Sequence, residues 1–222
     1  MKVQMILSGI GGQGVISAGE MFCEAIAKKG VNVTFVPVYG GEQRGGKTMC
    51  QIVISDTTSS PYLSFCDLLM VMDNRSLRDY LPMLKAGGRL IVNSDLVSEE
   101  ITRDDIDIEY IPINSLAEEA GSGQAANMAA LGTVMRYQDV IVPDDIKGLL
   151  KEKYTGKKAA FIPANLNLSE EKSQAGSKTP PARHVLSYPN SRYAQESRPR
   201  MARNPISVRF CLPSKSMSAQ AS

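Results

Sequence analysis

The chain has 222 residues, 43% of them apolar, with 25 basic and 23 acidic side chains and a formal net charge of +2. That length holds one α/β domain plus an extension, and the apolar content suffices for a sizeable core. No run approaches the roughly 18 apolar residues of a membrane span, the N-terminus lacks a charged-then-apolar signal pattern, and single cysteines suit a reducing compartment; a cytoplasmic protein with no membrane association is expected.

In chain order, the first features are an apolar strand at Met5-Ile6-Leu7, the loop Gly9-Ile10-Gly11-Gly12-Gln13-Gly14, and an amphipathic helix ending at Gly30. Gly9, Gly11 and Gly14 match G-x-G-x-x-G, a spacing that gives a tight turn, close ligand approach and close helix packing. A helix starting near Gly14 aims free amides and its positive dipole end at an anion. Val15, Ala18, Phe22, Ala25 and Ile26 fall on one face, and Glu20, Glu24, Lys28 and Lys29 on the other. A dinucleotide fold places a ribose-binding acid about 20 residues further on. The next strand, Val33-Thr34-Phe35-Val36-Pro37-Val38-Tyr39, carries no acid. That disfavours nicotinamide or flavin and leaves open another phosphate ligand, a protein partner, or a glycine turn with no ligand.

A second glycine-rich loop follows, Tyr39-Gly40-Gly41-Glu42-Gln43-Arg44-Gly45-Gly46-Lys47, and then a strand over 49–54. Loops at the carboxyl ends of adjacent strands in an open parallel sheet meet in the crevice where ligands bind. Arg44 there can fork onto a phosphate or carboxylate while Gly45 and Gly46 let backbone amides approach. A mobile loop with solvated charges is the plain alternative.

Downstream, the elements keep alternating, which predicts a Rossmann-like, doubly wound, mostly parallel sheet. Leu68-Leu69-Met70-Val71-Met72 reads as a buried strand. Asp73-Asn74 start a helix to about Leu84, which Lys85-Ala86-Gly87-Gly88 end with a glycine stop. Residues 89–93 form the next strand, whose tail Asn93-Ser94-Asp95 is either a docking point or a polar turn. Acids alternate with isoleucines over 106–113, as in a strand with one exposed face. Asn127 stands in a near-continuous apolar helix, 125–135, where its amide needs partners, either in the crevice or on neighbouring backbone. A last helix spans about 143–154 with proline in its first turn, and 157–168 is expected as an outer strand or arm.

Four blocks together resemble the gamma subunit, or gamma domain, of the 2-oxoacid:ferredoxin oxidoreductases (pyruvate, 2-oxoglutarate and 2-ketoisovalerate ferredoxin oxidoreductases). They are Gly9-Ile10-Gly11-Gly12-Gln13-Gly14-Val15, Tyr39-Gly40-Gly41-Glu42-Gln43-Arg44-Gly45-Gly46, Leu84-Lys85-Ala86-Gly87-Gly88-Arg89-Leu90-Ile91-Val92-Asn93-Ser94 and Ala126-Asn127-Met128-Ala129-Ala130-Leu131-Gly132. The resemblance implies oxidative decarboxylation of a 2-oxoacid with coenzyme A, giving acyl-CoA, carbon dioxide and reduced ferredoxin. It also implies a hetero-oligomer: alpha, beta and delta (ferredoxin-like) subunits would carry thiamine diphosphate, Mg and iron-sulfur clusters, and ferredoxin would take the electrons. Of the possible 2-oxoacids, the form of the second loop leans towards 2-oxoglutarate or a branched-chain acid. The site expected on this chain comprises Gly9, Gly11, Gly12, Gln13, Gly14, Arg44, Gly45, Gly46 and Asn127, binding coenzyme A or bracing the catalytic chains.

The chain holds no self-contained active site by pattern. Cys23, Cys50, Cys66 and Cys211 are scattered rather than clustered, so buried small hydrophobes are expected and neither a cluster nor another metal site is. The one histidine, His184, lies far along the chain, and Gly-x-Ser-x-Gly is absent. Residues 1–172 form the expected domain. From 173 to 222 the chain turns basic and Ser/Pro-rich, with eight Lys or Arg, one acid, six prolines and ten serines. That segment reads as disordered, an accidental extension such as a reading-frame change leaves. It carries about +7 and the body about −5. It lacks the aromatic interleaving of a nucleic-acid reader. The alternatives are a noncatalytic nucleotide- or CoA-binding or scaffold protein, and a stand-alone NAD or flavin oxidoreductase.

Overall fold

Among the described residues, six strands form one sheet in the order β2-β3-β1-β4-β5-β6. They are β1 (Lys2–Ile10), β2 (Asn32–Tyr39), β3 (Lys47–Ser55), β4 (Cys66–Val71), β5 (Leu84–Asn93) and β6 (Asp107–Ile111). The computed structural model describes residues 2–42, 45–119 and 126–153. Gln43, Arg44, His184, Cys211, the arm expected over 157–168 and the segment from 173 onward lie outside them.

β1, β4, β5 and β6 pair in parallel, whereas β3 is antiparallel to both β1 and β2. The sheet is therefore mostly parallel with one reversed strand inserted between β1 and β2. The loop over 40–46 explains the insertion: seven residues close a hairpin but are too few for a parallel crossover, which needs a dozen or more. Among the described residues β2 is an edge strand. Gly40 donates to the Lys47 carbonyl, so alternation of the ladder puts Pro37 where an amide would point off the sheet. Proline at that position blocks pairing with another strand.

Alternation along β1 sends Met5 and Leu7 to one face and Ile6 to the other. The first face carries α1 (Val15–Lys28), α3 (Ile113–Glu119), α4 (Ala126–Met135) and α5 (Pro143–Lys153). The second face has thinner cover: α2 (Asn74–Tyr80), a 3-10 turn (Leu81–Met83), and Leu63 and Val97 from long connections. α5 is clamped to α1 by the ion pairs Lys28–Glu152, Lys29–Asp145 and Lys153–Glu24.

Two expectations need correction. Residues 85–88 do not end a helix. α2 stops at Tyr80, and Lys85-Ala86-Gly87-Gly88 form a bulge inside β5, where the register jumps from Cys66↔Leu84 to Leu68↔Arg89. Gly87 has φ 72°, and a Cβ on Gly88 would meet Leu84 Cδ1 at 2.7 Å and Lys85 O at 2.8 Å. The bulge therefore uses the same residue chemistry as a helix stop. The strand expected over 106–113 ends at Ile111, and Ile113 begins α3. Asn93 and Asp95 cause that change of direction. Buried Asn93 accepts from the Ile113 amide at 3.1 Å and donates to Asn114 at 2.9 Å, while Asp95 accepts from the Ser115 amide at 2.8 Å. Asn93-Ser94-Asp95 is thus a structural polar turn.

Candidate functional site: two joined glycine loops

β1 runs through Gly9 to Ile10 before the chain turns. Gly9 is demanded by packing: a Cβ there would sit 2.4 Å from Gln13 Oε1, 2.9 Å from Val15 Cγ2 and 3.0 Å from Met72 Cβ. Gly12 and Gly14 take the positive φ values, 104° and 73°, so backbone freedom is required at the second half of the loop. Gln13 folds back into its own turn. Its Oε1 accepts from the Ile10 amide at 2.8 Å and its Nε2 reaches the Met72 carbonyl at 3.5 Å, tying the end of β1 to the end of β4.

Gly14 is the N-cap of α1 and supplies no side-chain cap bond. The first-turn amides of a 14-residue helix are thus left for water, a neighbour or an anion. Asn127 packs against this cap, since a Cβ on Gly14 would fall 2.6 Å from Asn127 Cβ. Asn127 is also the one described residue of α4 that is not buried. The structure thus brings Gly9, Gly11, Gly12, Gln13, Gly14 and Asn127 together at one end of the sheet.

The second loop arrives at the same place because β3 begins where β1 ends, with Ile10 opposite Lys47. The Gly11 amide donates to the Gly46 carbonyl at 2.8 Å. A Cβ on Gly12 or Gly45 would meet nothing within 4 Å, and Gly45 has φ 65°. The two glycine turns therefore adjoin, and each has a glycine with open space beside its α-carbon. Arg44, the cation expected there, lies outside the described residues.

α2 borders the second loop. Glu42 Oε1 accepts from both terminal nitrogens of Arg75, at 3.2 and 3.3 Å, and its Oε2 accepts from the Lys47 amide at 3.2 Å. Lys47 pairs with Asp79 and lies 5.6 Å from the Tyr80 ring centre. Burial pushes the Tyr80 phenol above its ordinary pKa, against the opposing pull of the Lys47 ammonium. Below the loops a buried relay runs from Ser8 to Ser76 at 2.9 Å and from Ser76 to Asp73 at 2.7 Å. Asp73 also caps α2 by accepting from the Ser76 amide at 2.9 Å. Sequence reasoning named none of Ser8, Glu42, Arg75, Ser76 and Asp79 as site residues. The only local signal was the Asp73-x-x-Ser76 cap spacing.

Cys23, Cys50 and Cys66 sit on α1, β3 and β4, all buried. Burial raises all three thiols, Cys50 and Cys66 to about 12. They act as small hydrophobes, as expected, and their places on three separate elements do not fit the close thiolate set of an iron-sulfur cluster. Among the described residues no group of three or more His, Cys, Asp or Glu side chains is placed to hold a metal ion, and no helix is long and apolar enough to cross a membrane.

A profile of the family described as pyruvate ferredoxin/flavodoxin oxidoreductase matches residues 4–174. The 2-oxoglutarate synthase subunit KorC of Methanothermobacter marburgensis is 35% identical over 149 residues, covering 64% of this chain and 80% of that protein. The ketoisovalerate oxidoreductase subunit VorA of the same organism is 32% identical over 135 residues, 60% of this chain but 28% of that protein. The chain thus spans about a third of the VorA proteins it matches. Among solved structures, the gamma subunit of a keto/oxoacid ferredoxin oxidoreductase from Geobacter sulfurreducens superposes with a TM-score of 0.65 at 28% identity, over 78% of this chain and 99% of that one.

Proposed function

The chain belongs to the pyruvate ferredoxin/flavodoxin oxidoreductase family, and we propose that it is the gamma-type subunit of a cytoplasmic multi-subunit 2-oxoacid:ferredoxin oxidoreductase. The complex converts a 2-oxoacid, coenzyme A and oxidised ferredoxin to acyl-CoA, carbon dioxide and reduced ferredoxin. Thiamine diphosphate supplies the carbanion stabilisation when bound, on partner chains. Alpha, beta and delta-type subunits supply that site, its Mg and the iron-sulfur clusters. The three cysteines in the described part of this chain are unsuited to such a cluster. The names of the KorC and VorA relatives support 2-oxoglutarate or a branched-chain 2-oxoacid as substrate.

One observation supports this chain's own role: the Gly11–Gly46 hydrogen bond, which joins two glycine turns beside the α1 N-terminus. Backbone amides and a helix N-terminus favour an anion, and coenzyme A is the phosphate-bearing reactant. Gly9 to Gly14, Gly45, Gly46 and Asn127 form the wall against which it is positioned, with Arg44 as the added cation.

Affinity purification of the chain from its native cells, with identification of co-purifying chains and assay of coenzyme A-dependent ferredoxin reduction by a panel of 2-oxoacids, tests the subunit reading. Partner chains with activity on 2-oxoglutarate or a branched-chain acid are expected. A solitary protein lacking partners overturns it. In the purified complex, Arg44→Ala should raise the coenzyme A requirement; unchanged dependence with normal assembly removes the direct contact.

A further inference from the structure

The loop over 40–46 contains four glycines, Gly40, Gly41, Gly45 and Gly46. Beyond the backbone bonds Gly40–Lys47 and Gly11–Gly46, its described residues are tied to α2 through side chains. Arg75 and Asp79 stand four apart on one helix face, the spacing at which a cation and a carboxylate can pair with each other. Each instead reaches outward, Arg75 to Glu42 and Asp79 to Lys47. These partners sit near the middle and at the far end of the loop. Glu42 also binds the Lys47 amide, so one carboxylate closes the loop on itself and onto the helix.

Asp73 at the N-cap and Arg78 in the last turn suit the dipole of α2, whereas Arg75 and Asp79 oppose it. Arg75 lies in the first turn, which holds no acid, and Asp79 in the last. A helix favours the reverse order. A local rule broken without local gain points to a role elsewhere. The Ser8–Ser76–Asp73 relay then fixes α2 to β1 at 2.9 and 2.7 Å, and the Gly11–Gly46 bond closes the circuit back to β1.

We infer that α2 is the positioning element for the second glycine loop, with Arg75 and Asp79 as positioning residues that hold Gly45 and Gly46 against the first loop. Both residues act through Glu42 and Lys47 and touch no reactant. The expected effect on coenzyme A use rests on the proposed function; the positioning itself does not.

The test uses the purified complex carrying the reversal pair R75E/D79K, the conservative pair R75K/D79E, or the near-isosteric E42Q. The reversal pair suits the helix dipole, so α2 itself is retained. Amide exchange is read by peptide over 40–47, with 66–71 in β4 as the folded reference, alongside KM for coenzyme A and kcat. R75E/D79K and E42Q should speed exchange over 40–47 while β4 stays protected. They should raise KM for coenzyme A about two- to fivefold with kcat held, the scale of exposed ion pairs. R75K/D79E should resemble the wild type in both. Unchanged exchange over 40–47 in both R75E/D79K and E42Q overturns the inference. Faster exchange with KM unmoved upholds the positioning and removes the loop from coenzyme A binding.

Discussion

Asn127 Cβ lies 2.6 Å from the point where a side chain on Gly14 would begin, so the cap of α1 and the start of α4 meet with no room for a methyl group. Gly14 also has φ 73°. Gly14→Ala therefore combines left-handed strain of about 1–2 kcal/mol with overpacking of about 1–3 kcal/mol. Gly12→Ala, at φ 104° in open space, carries strain alone. Urea unfolding should show Gly14→Ala as clearly the more damaging. Asn127→Gly should recover part of the loss in the double variant, because the nearest obstructing atom is Cβ; Asn127→Ala, which removes only the Cγ contact at 3.2 Å, should recover less. Equal losses for Gly12→Ala and Gly14→Ala would dismiss the contact.

Gln13 acts within its own loop. Its carbonyl serves the Ile10 amide and its amide nitrogen reaches Met72. Gln13→Leu leaves the Ile10 amide without that acceptor, a loss of about 1–2 kcal/mol. Gln13→Glu keeps the acceptor but sets a carboxylate oxygen beside the Met72 carbonyl, so an intermediate loss is expected. Denaturant midpoints of the two variants decide it: a Gln13→Leu protein as stable as wild type rules out the brace.

The strand–loop–helix opening was legible because periodicity switches at Gly14 from strand to helix and glycine marks the switch. The meeting of the two loops was also legible, though by the wrong route. The sequence reading assumed neighbouring parallel strands, whereas β3 runs backwards, a fact available from the seven-residue length of 40–46. The bulge at Lys85-Ala86-Gly87-Gly88 was not legible, since a helix stop and a strand bulge ask the same thing of glycine. Asn93 and Asp95 hid α3 for a similar reason: a polar strand end looks alike whether it docks a ligand or fastens the next helix. The contacts of Gln13 with Met72, and of Glu42 with Arg75, join residues 59 and 33 positions apart. Only the assembled sheet brings such pairs together.

The three buried thiols make a pH prediction. Folding holds Cys50 and Cys66 protonated to about pH 12, against an ordinary thiol value of 9.0, and raises Cys23 in the same direction. Between pH 9 and 12 the unfolded chain has lost the Cys50 and Cys66 protons and the folded chain has not. Stability present below pH 9 is therefore lost as pH rises through that window, by about 1.4 kcal/mol per pH unit for each of Cys50 and Cys66. Cys50→Ala should make the decline shallower. At pH 8, alkylation mapped by peptide should spare all three in the native chain and modify them in denaturant. Labelling of native Cys50 would show that its strand is not closed over by α1.

The Ser8–Ser76–Asp73 relay has a direction, since a hydroxyl carries a single proton. Ser8 donates to Ser76 at 2.9 Å in preference to the Thr48 carbonyl at 3.4 Å, and Ser76 donates to Asp73. Asp73 accepts from both the amide and the hydroxyl of Ser76, so it is the sink of the relay and the cap of α2. Asp73→Ala removes both bonds and should cost about 2 kcal/mol, the upper end for a lost cap. Ser8→Ala leaves Ser76 still bonded to Asp73, and Ser76→Ala leaves the capping amide bond intact. Each should cost about 1 kcal/mol or less. The order of denaturation midpoints should be Asp73→Ala lowest, with the two serine variants close together above it. Because α2 also holds the second loop, Asp73→Ala should speed amide exchange over 40–47 as well as over α2. Exchange confined to α2 would mean that the loop keeps its place without the helix, and that the relay serves stability alone.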